Sequence, residues 1–154
     1  MRPLDEVDSA LLRLLQEDAR RSNRELAGLL HVAESTCLER TRGLLRCGVV
    51  TGVHAHVDLK KLNRSVQAMV AVRLRPPDRA VIESFHSFVV GLEETIEVFV
   101  TAGTDDFLIH VAVRDNDHLN DFILDRLTQR REIVDVRTSV VFRHDRKVAV
   151  NLLA

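Results

Sequence analysis

The amino-terminal third of the chain repeats its apolar residues with the period of an α-helix. Between Asp5 and Asp18, four apolar residues fall on one side of a predicted first helix: Val7, Leu11, Leu14 and Leu15. Ser22 and Glu25 have the spacing of a capping box, in which the Ser hydroxyl accepts from the N–H three residues on and the Glu carboxylate reaches back. This pair predicts that a second helix begins at Ser22.

A third helix is predicted from Glu34 to Arg46, after a three-residue turn at positions 31–33. Its inner stripe lies at helical spacing and consists of Cys37, Thr41 and Leu44. The glycine and apolar residues at positions 48–53 predict a small strand or wing. A tight turn between two helices, with a helix before them and a wing after them, is typical of a winged helix-turn-helix domain.

The outer side of the third helix, opposite its inner stripe, is polar. The candidate DNA-contacting residues on this helix are Ser35, Thr36, Glu39, Arg40, Arg42 and Arg46. Arg can bond guanine through two N–H groups, Glu can accept from cytosine, and Ser or Thr can bond bases or phosphates. The same side chains also suit the solvated face of an ordinary amphipathic helix. The order of the surrounding elements favours the DNA interpretation.

The apolar pattern changes from helical to strand-like alternation after residues 57–64. Four strands are predicted at 66–74, 95–102, 107–113 and 134–142, with one amphipathic helix between the first two and another between the last two, and a further short strand at 147–152. The order βαββαβ predicts a ferredoxin-like sheet with both helices on one face. The chain is therefore expected to be α+β, with a winged helix-turn-helix domain at 1–53, a linker at 54–65 and a ferredoxin-like domain at 66–154.

The strands of the second domain carry more apolar side chains than two helices are expected to cover: Ile96, Val98, Val100, Ile109, Val111 and Val113. A sheet covered on one face leaves its other face and its edges open, and a second copy would cover both. We therefore expect a homodimer. The alternative, in which both faces are internal as in a larger sandwich, suits so short a chain less well.

Charge and the remaining chemistry narrow the classes of function. The formal net charge is −1, so any positive patch must be local, and useful DNA affinity would need several copies engaged at once.

No nucleophile–base pair, phosphate loop or three-ligand metal spacing appears, and we expect no catalytic residue, metal or cofactor. No signal peptide or membrane span is expected, since no apolar run approaches about 18 residues. Two cysteines about 15 Å apart along one helix cannot form a bridge and suit a reducing cytoplasm.

A glycine-containing turn at positions 103–107 is a candidate ligand site. Backbone N–H groups of such a turn can bind a carboxylate, and Asp105 or Asp106 can bind an ammonium group. An amino acid carries both of these groups, so it is the expected type of ligand. The same residues also make an Asx-stabilised hairpin turn that needs no ligand.

Several segments resemble the Lrp/AsnC (leucine-responsive, or feast/famine) transcription regulators. In the amino-terminal half they are residues 4–8 with 11–12, 37–42, 48–50 and 52; in the carboxyl-terminal half they are the Gly-x-x-Asp-aromatic turn at 103–107 and a last core strand at 137–141. The resemblance extends from about Leu4 to Leu152. Three positions near the predicted DNA-reading helix depart from the family, which usually has Gly at His31, Ser at Ala33 and often a basic residue at Gly43.

The resemblance implies an effector that lies between subunits near the turn. The implied effector residues are Gly103, Thr104, Asp105, Asp106, Phe107, Thr138 and Ser139. Phe107 stands where Tyr is commoner, which removes one hydroxyl. The resemblance also implies dimers that assemble further, in many members into rings of four dimers that make an octamer.

Together these features predict a bacterial, cytoplasmic transcription regulator that binds double-stranded DNA and responds to an amino acid or a related small effector. It is not expected to be an enzyme. One alternative is an enzyme similar to the sirohaem decarboxylases of the same architecture, although their His- and Arg-rich site motifs are not found in this sequence. Another is an oligomeric ligand-sensing module without a DNA role.

Overall fold

The structure is a computed structural model that describes residues 3–76 and 78–153. The chain forms two compact units, the first made of the residues up to His56 and from Asp145 onward, and the second of Val57 to His144. The tail after Asp145 was predicted to belong to the second domain, but in the structure it belongs to the first unit, where it is hydrogen-bonded to Gln16. The Gln16 amide donates to the Val150 carbonyl and accepts from the Val150 N–H, both at 3.0 Å.

The first unit contains three helices: α1 Glu6–Glu17, α2 Asn23–Leu30 and α3 Glu34–Arg46. Its core consists of Leu11, Leu26, Ala27, Cys37 and Leu44. The predicted capping box is present, because the Ser22 Oγ accepts from the Glu25 N–H at 3.3 Å and the Glu25 carboxylate accepts from the Ser22 N–H at 2.7 Å. The bond from the Ser22 N–H is the largest cause that lowers the pKa of Glu25. The helix-turn-helix arrangement is confirmed.

The predicted wing strand at 48–53 is wrong, since the described residues there form no strand. The Val50 N–H instead donates to the carbonyl of Leu44 at 3.1 Å, and Val49 and Val50 pack against the helical core. These two apolar residues therefore close the end of α3. The short strand predicted at 147–152 is also not formed. The Val150 N–H, which would bond a neighbouring strand, donates to the side chain of Gln16.

The second unit begins with a short 3₁₀ helix, Leu59–Leu62, inside the predicted linker. Its other elements are β1 Val66–Leu74, α4 Arg79–Val90, β2 Thr95–Val100, β3 Phe107–Val113, α5 Asn116–Asp121 continued by a π-helical turn Phe122–Leu127, and β4 Ile133–Val140. The sheet order is β2-β3-β1-β4, and all neighbours are antiparallel. The predicted ferredoxin-like order is confirmed.

Alternate residues of the strands face the two helices and form the core of this unit. Ala68, Val70, Val72 and Leu74 of β1 are fully buried there. The rings of Phe85 on α4 and Phe107 on β3 meet edge to face, with centroids 4.8 Å apart. Because buried residues of both helices pack into this one layer, α4 and α5 cover the same face of the sheet.

The opposite, open face of the sheet is less apolar than the sequence suggested. Ile109, Val111 and Val113 lie wholly in the helix-covered core, and Val98 packs against it. The reason is register, because Val98 and Val70 both stand opposite Ile109 and so share its face. The open face is instead formed largely by Met69, Ala71, Phe99, Leu108 and His110.

Candidate DNA-reading and ligand-binding sites

The turn between α2 and α3 is fixed by His31. This residue adopts a left-handed backbone, with φ +54° and ψ +42°, which glycine usually supplies. The Val32 N–H donates to the carbonyl of Ala27 at 3.1 Å, which closes the end of α2. The departure from glycine at His31 therefore leaves the two helices joined as the sequence predicted.

The reading helix α3 has the predicted bounds but lacks a side-chain cap. Its N-cap residue is Ala33, and Ser35 cannot cap it because Ser35 already lies inside the helix. The side-chain amide of Asn23 donates to the carbonyl of Glu34 at 2.8 Å, which joins α2 to α3 but leaves the N–H groups of the first turn of α3 without a side-chain cap. Gly43 lies within α3 and does not interrupt it.

Five of the six predicted DNA contacts are exposed on α3: Ser35, Thr36, Glu39, Arg42 and Arg46. On the inner side of the same helix, Cys37 is fully buried and Leu44 is 3% exposed. The guanidinium groups of Arg42 and Arg46 give this outer face its positive charge, with Glu39 as a carboxylate acceptor beside them. This outer face presents to solvent the donors and acceptors that a major groove can bond.

The sixth predicted contact, Arg40, faces α1. Its Nη1 donates to Asp5 Oδ2 at 2.7 Å and to Asp8 Oδ1 at 2.8 Å. Hydrogen bonds to Asp5 and then to Asp8 raise the pKa of the guanidinium. The sequence pattern missed this pairing, since Asp5 and Asp8 lie more than thirty residues away and only the packing of α1 on α3 brings them together.

The predicted ligand turn lies between β2 and β3 and is bonded on several sides. The Asp106 N–H donates to the carbonyl of Val72 at 3.0 Å, and the Asp106 Oδ2 accepts from the Leu74 N–H at 2.7 Å. The Thr101 hydroxyl donates to the carbonyl of Asp105 at 2.6 Å. Among the described residues, the N–H groups of Gly103 and Thr104 have no hydrogen-bond partner. The turn is thus rigidly held and still offers two backbone donors.

Two arginines that sequence reasoning missed lie against this turn. Arg73 on β1 donates from Nε to the carbonyl of Thr104 at 3.0 Å. Arg137 on β4 forms an ion pair with Asp105. Only strand register could have identified them, because Arg73 and Arg137 precede and follow the turn by about thirty residues.

The remaining predicted effector residues are not all at the turn. Phe107 is fully buried against Phe85, so its side chain lies in the core and not on a ligand-accessible surface. Thr138 and Ser139 stand opposite Val70 and Met69, at the middle of β1. Because β1 separates β4 from β3, they lie about 10 Å across the sheet from β3. One chain alone therefore does not bring Thr138 and Ser139 to the turn.

A polar cluster interrupts the open face of the sheet at His110, which is 5% exposed. Its Nε2 lies 2.9 Å from Gln67 Oε1, and its ring meets that of His144 edge to face at 5.5 Å. Glu97 is its register partner on β2. Burial lowers the pKa of His110 below its ordinary value of 6.5, against the opposing effect of the Glu97 carboxylate.

Three further features were compared with the structure: metal-binding clusters, membrane-spanning helices and the two cysteines. No three side chains of His, Cys, Asp or Glu within residues 3–76 and 78–153 are grouped to hold a metal ion. In the same ranges, no helix has the length and apolar character needed to cross a membrane. Cys37 is buried, which raises the pKa of its thiol, while Cys47 is exposed.

Comparison with known protein families matches two segments of the chain. Residues 4–45 match the AsnC-type helix-turn-helix domain, and residues 67–147 match the Lrp/AsnC ligand binding domain. The first match includes α1, α2 and nearly all of α3, and the second includes nearly the whole four-stranded sheet.

Individual relatives match along most of their length. The HTH-type transcriptional regulator AldR of Mycobacterium tuberculosis is 37% identical over 95% of this chain and 82% of its own. The transcriptional regulator AzlB of Bacillus subtilis is 34% identical over 94% of this chain and 92% of its own. A transcriptional regulator from Neisseria meningitidis, solved as a complex with L-Met, has a TM-score of 0.87 and 28% identity, with 94% of each chain covered. This chain therefore belongs to the Lrp/AsnC family of DNA-binding transcriptional regulators.

Proposed function

We propose that α3 enters the DNA major groove and that its exposed side chains recognise an operator: Ser35, Thr36, Glu39, Arg42 and Arg46. The observation that carries this proposal is the exposure of these donors and acceptors on the side of α3 opposite buried Cys37 and Leu44. Arg42 and Arg46 are the candidates for bidentate bonds to guanine, and Glu39 is the candidate acceptor for cytosine. A regulator of this kind acts on the bacterial chromosome, in the cytoplasm.

The proposed effector is an amino acid bound at the turn that ends with Asp106. The N–H groups of Gly103 and Thr104 suit its carboxylate, and the Asp106 Oδ1 suits its ammonium group, since a carboxylate accepts about four hydrogen bonds. The likeness to the regulator from Neisseria meningitidis solved with L-Met supports this chemistry. Calorimetry with each of the twenty amino acids identifies the effector.

The proposed assembly is a homodimer that associates further, up to an octamer. Thr138 and Ser139 of a neighbouring copy would complete the effector site, because the chain's own Thr138 and Ser139 lie far from the turn. The open sheet face, where Phe99 is 45% exposed, is the candidate dimer surface. Effector binding at a site shared by subunits would favour one assembly state and so alter DNA affinity.

The test of the DNA role is selection of duplexes from a random pool by the wild-type protein, followed by measured affinities at several salt concentrations. We expect a preferred sequence, and we expect Arg42→Ala to weaken its binding by about 1 to 3 kcal/mol for each base that Arg42 bonds. Failure to select any sequence would refute the DNA role. If an amino acid still bound, the chain would be a ligand-sensing module without a DNA role.

A further inference from the structure

Arg40 lies on α3 among the residues proposed to face DNA, yet its charge is directed toward α1. A single nitrogen, Nη1, lies within 2.9 Å of both oxygens of Asp5 and 2.8 Å from Asp8 Oδ1. The side chain of Asp8 is 1% exposed and that of Arg40 is 22% exposed. Water therefore screens the attraction between Arg40 and Asp8 less than that of a surface ion pair, whereas Asp5 is 40% exposed and its attraction is screened more.

The two carboxylates that hold Arg40 are themselves fixed. Asp5 is the N-cap of α1, and its Oδ1 accepts from the Asp8 N–H at 2.8 Å. The Asp8 carboxylate in turn accepts from the Asp5 N–H at 3.3 Å. Arg40 therefore joins α3 to a first turn of α1 that is already braced by its own capping box.

Apolar packing holds α3 at few points. Cys37 and Leu44 are its only buried residues, and apolar contacts have no preferred direction. Hydrogen bonds are directional, and a base contact fails if donor and acceptor move apart by more than a few tenths of an ångström. The ion pairs of Arg40 are therefore suited to set the rotation of α3 about its axis.

We propose that Arg40 is a positioning residue for DNA recognition, which orients the reading helix through Asp5 and Asp8 without contacting DNA. This inference rests on the proposed role of α3 as the reading helix. It assigns to Arg40 an effect on sequence discrimination, whereas Arg42 and Arg46 make the contacts.

A double-mutant cycle separates positioning from contact, with the wild-type-selected duplex and a random duplex as probes. We expect Arg40→Gln to weaken binding of the selected duplex on the order of tenfold, and Asp8→Asn to weaken it less, because Arg40 then keeps its pair with Asp5. The double variant should be no weaker than Arg40→Gln alone, because that change already removes the pair with Asp8. Binding of the random duplex and its salt dependence should stay unchanged, since neither residue touches a phosphate.

Arg40→Lys is the conservative variant. Its ammonium group has three N–H donors and can bridge Asp5 and Asp8, so we expect it to restore most of the affinity for the selected duplex. Affinities are referred to the folded fraction measured by circular dichroism. If Arg40→Gln does not fold, Asp8→Asn carries the test, because it removes one of the two carboxylates that hold Arg40 and keeps Arg40 itself. Wild-type affinity of Asp8→Asn for the selected duplex would then overturn the inference.

Three results would overturn the inference. Independent, additive effects of Arg40→Gln and Asp8→Asn would mean that Arg40 contacts DNA itself. A random-duplex salt slope reduced by about one would mean that it contacts a phosphate. Weakened binding in Arg42→Ala with wild-type binding in every Arg40 variant would leave α3 as the reading helix and Arg40 without a role. If the wild type selects no duplex, the proposed function fails first and this inference with it.

Discussion

The side-chain amide of Asn23 donates a 2.8 Å hydrogen bond to the carbonyl oxygen of Glu34, so the first residue of α2 holds the first residue of α3. This bond acts at the end of the reading helix that has no side-chain cap. The oxygen of the same amide, Asn23 Oδ1, is buried without a hydrogen-bond partner in the described structure. Asn23 thus adds a polar contact to the turn at His31 and the shared apolar core, which also hold the helix pair.

Asn23→Ala should therefore loosen the start of α3. We expect a decrease of about 1 kcal/mol in the free energy of unfolding, the usual size for one hydrogen bond, and faster hydrogen exchange in the second turn of α3, whose N–H groups bond the carbonyls of the first turn. Exchange measured by mass spectrometry checks this, with Asn120→Ala on the exposed surface of α5 as the control. Unchanged exchange in the Asn23 variant would mean that the turn alone fixes the helix pair.

Ala33→Ser should stabilise the first unit. Ala33 has the extended backbone of an N-cap residue, with φ −65° and ψ +146°, and a Ser hydroxyl there can accept from the free N–H groups of the first helical turn. We expect a gain of about 0.5 to 2 kcal/mol in the free energy of unfolding, measured by denaturant titration. Ala19→Ser, in the exposed segment after α1, should have no such effect. A destabilised Ala33 variant would contradict the uncapped geometry.

Phe99→Glu should weaken self-association. Phe99 lies on the open sheet face opposite Leu108 and is half-exposed, so a charge there costs a single copy little but disfavours burial against a second copy. Sedimentation over a range of concentrations should give a dissociation constant raised by an order of magnitude or more. Val90→Glu, at a comparably exposed position on α4, is the matched control. Equal effects from both changes would remove the open face as the dimer surface.

The stability of the chain should fall as pH drops below about 6.5, partly through His110. Burial lowers the pKa of His110 in the folded state below its ordinary value of 6.5, so in this window the unfolded chain binds more protons than the folded chain. Above about pH 6.5 the His110 ring is neutral in both states, so it adds no pH dependence. As the pH falls from there to the lowered pKa of the folded state, the free energy of unfolding decreases, and below that pKa the loss is constant. Denaturant unfolding from pH 7.5 to 5.5 should give a shallower pH dependence in His110→Gln. An equal pH dependence in the wild type and in His110→Gln would mean that His110 does not contribute to the loss of stability.

Asp106→Asn should give a folded protein with impaired amino-acid binding. An Asn Oδ1 can still accept from the Leu74 N–H, but it no longer offers a negative charge to an ammonium group. Calorimetry with each of the twenty amino acids should find a ligand for the wild type that binds this variant at least tenfold more weakly. Asp117→Asn, exposed on α5, serves as the control. Equal affinity in Asp106→Asn would make the carboxylate purely structural.

Local signals in the sequence were sufficient for most element boundaries. The bounds of α3, β1 and β3 agree with the predicted ones, because helical spacing and strict alternation are set by neighbouring residues. The wing at 48–53 was wrong because a strand needs a partner strand, and Val49 and Val50 are used to cover the helical core instead.

The errors at the candidate sites arise from contacts between residues far apart in sequence. Arg40 was grouped with Arg42 because both are arginines of α3, although two residues of an α-helix at this spacing lie about 200° apart. The carboxylates of Asp5 and Asp8 decide where the charge of Arg40 lies. Alternation identifies two faces of β3 without telling which one the helices cover, so the sequence did not show that Ile109 lies wholly in the helix-covered core. Phe107 follows two acidic residues of the turn, yet the pleat directs its ring into the core.

The turn's bonds to Val72, Leu74 and Arg137 have a mechanical consequence. The turn joins β2 to β3, Asp106 bonds the central strand β1, and Asp105 is paired with Arg137 on β4. One short loop is therefore anchored to every strand of the sheet, including both of its edges. A ligand that displaced this loop would therefore act on contacts to all four strands together.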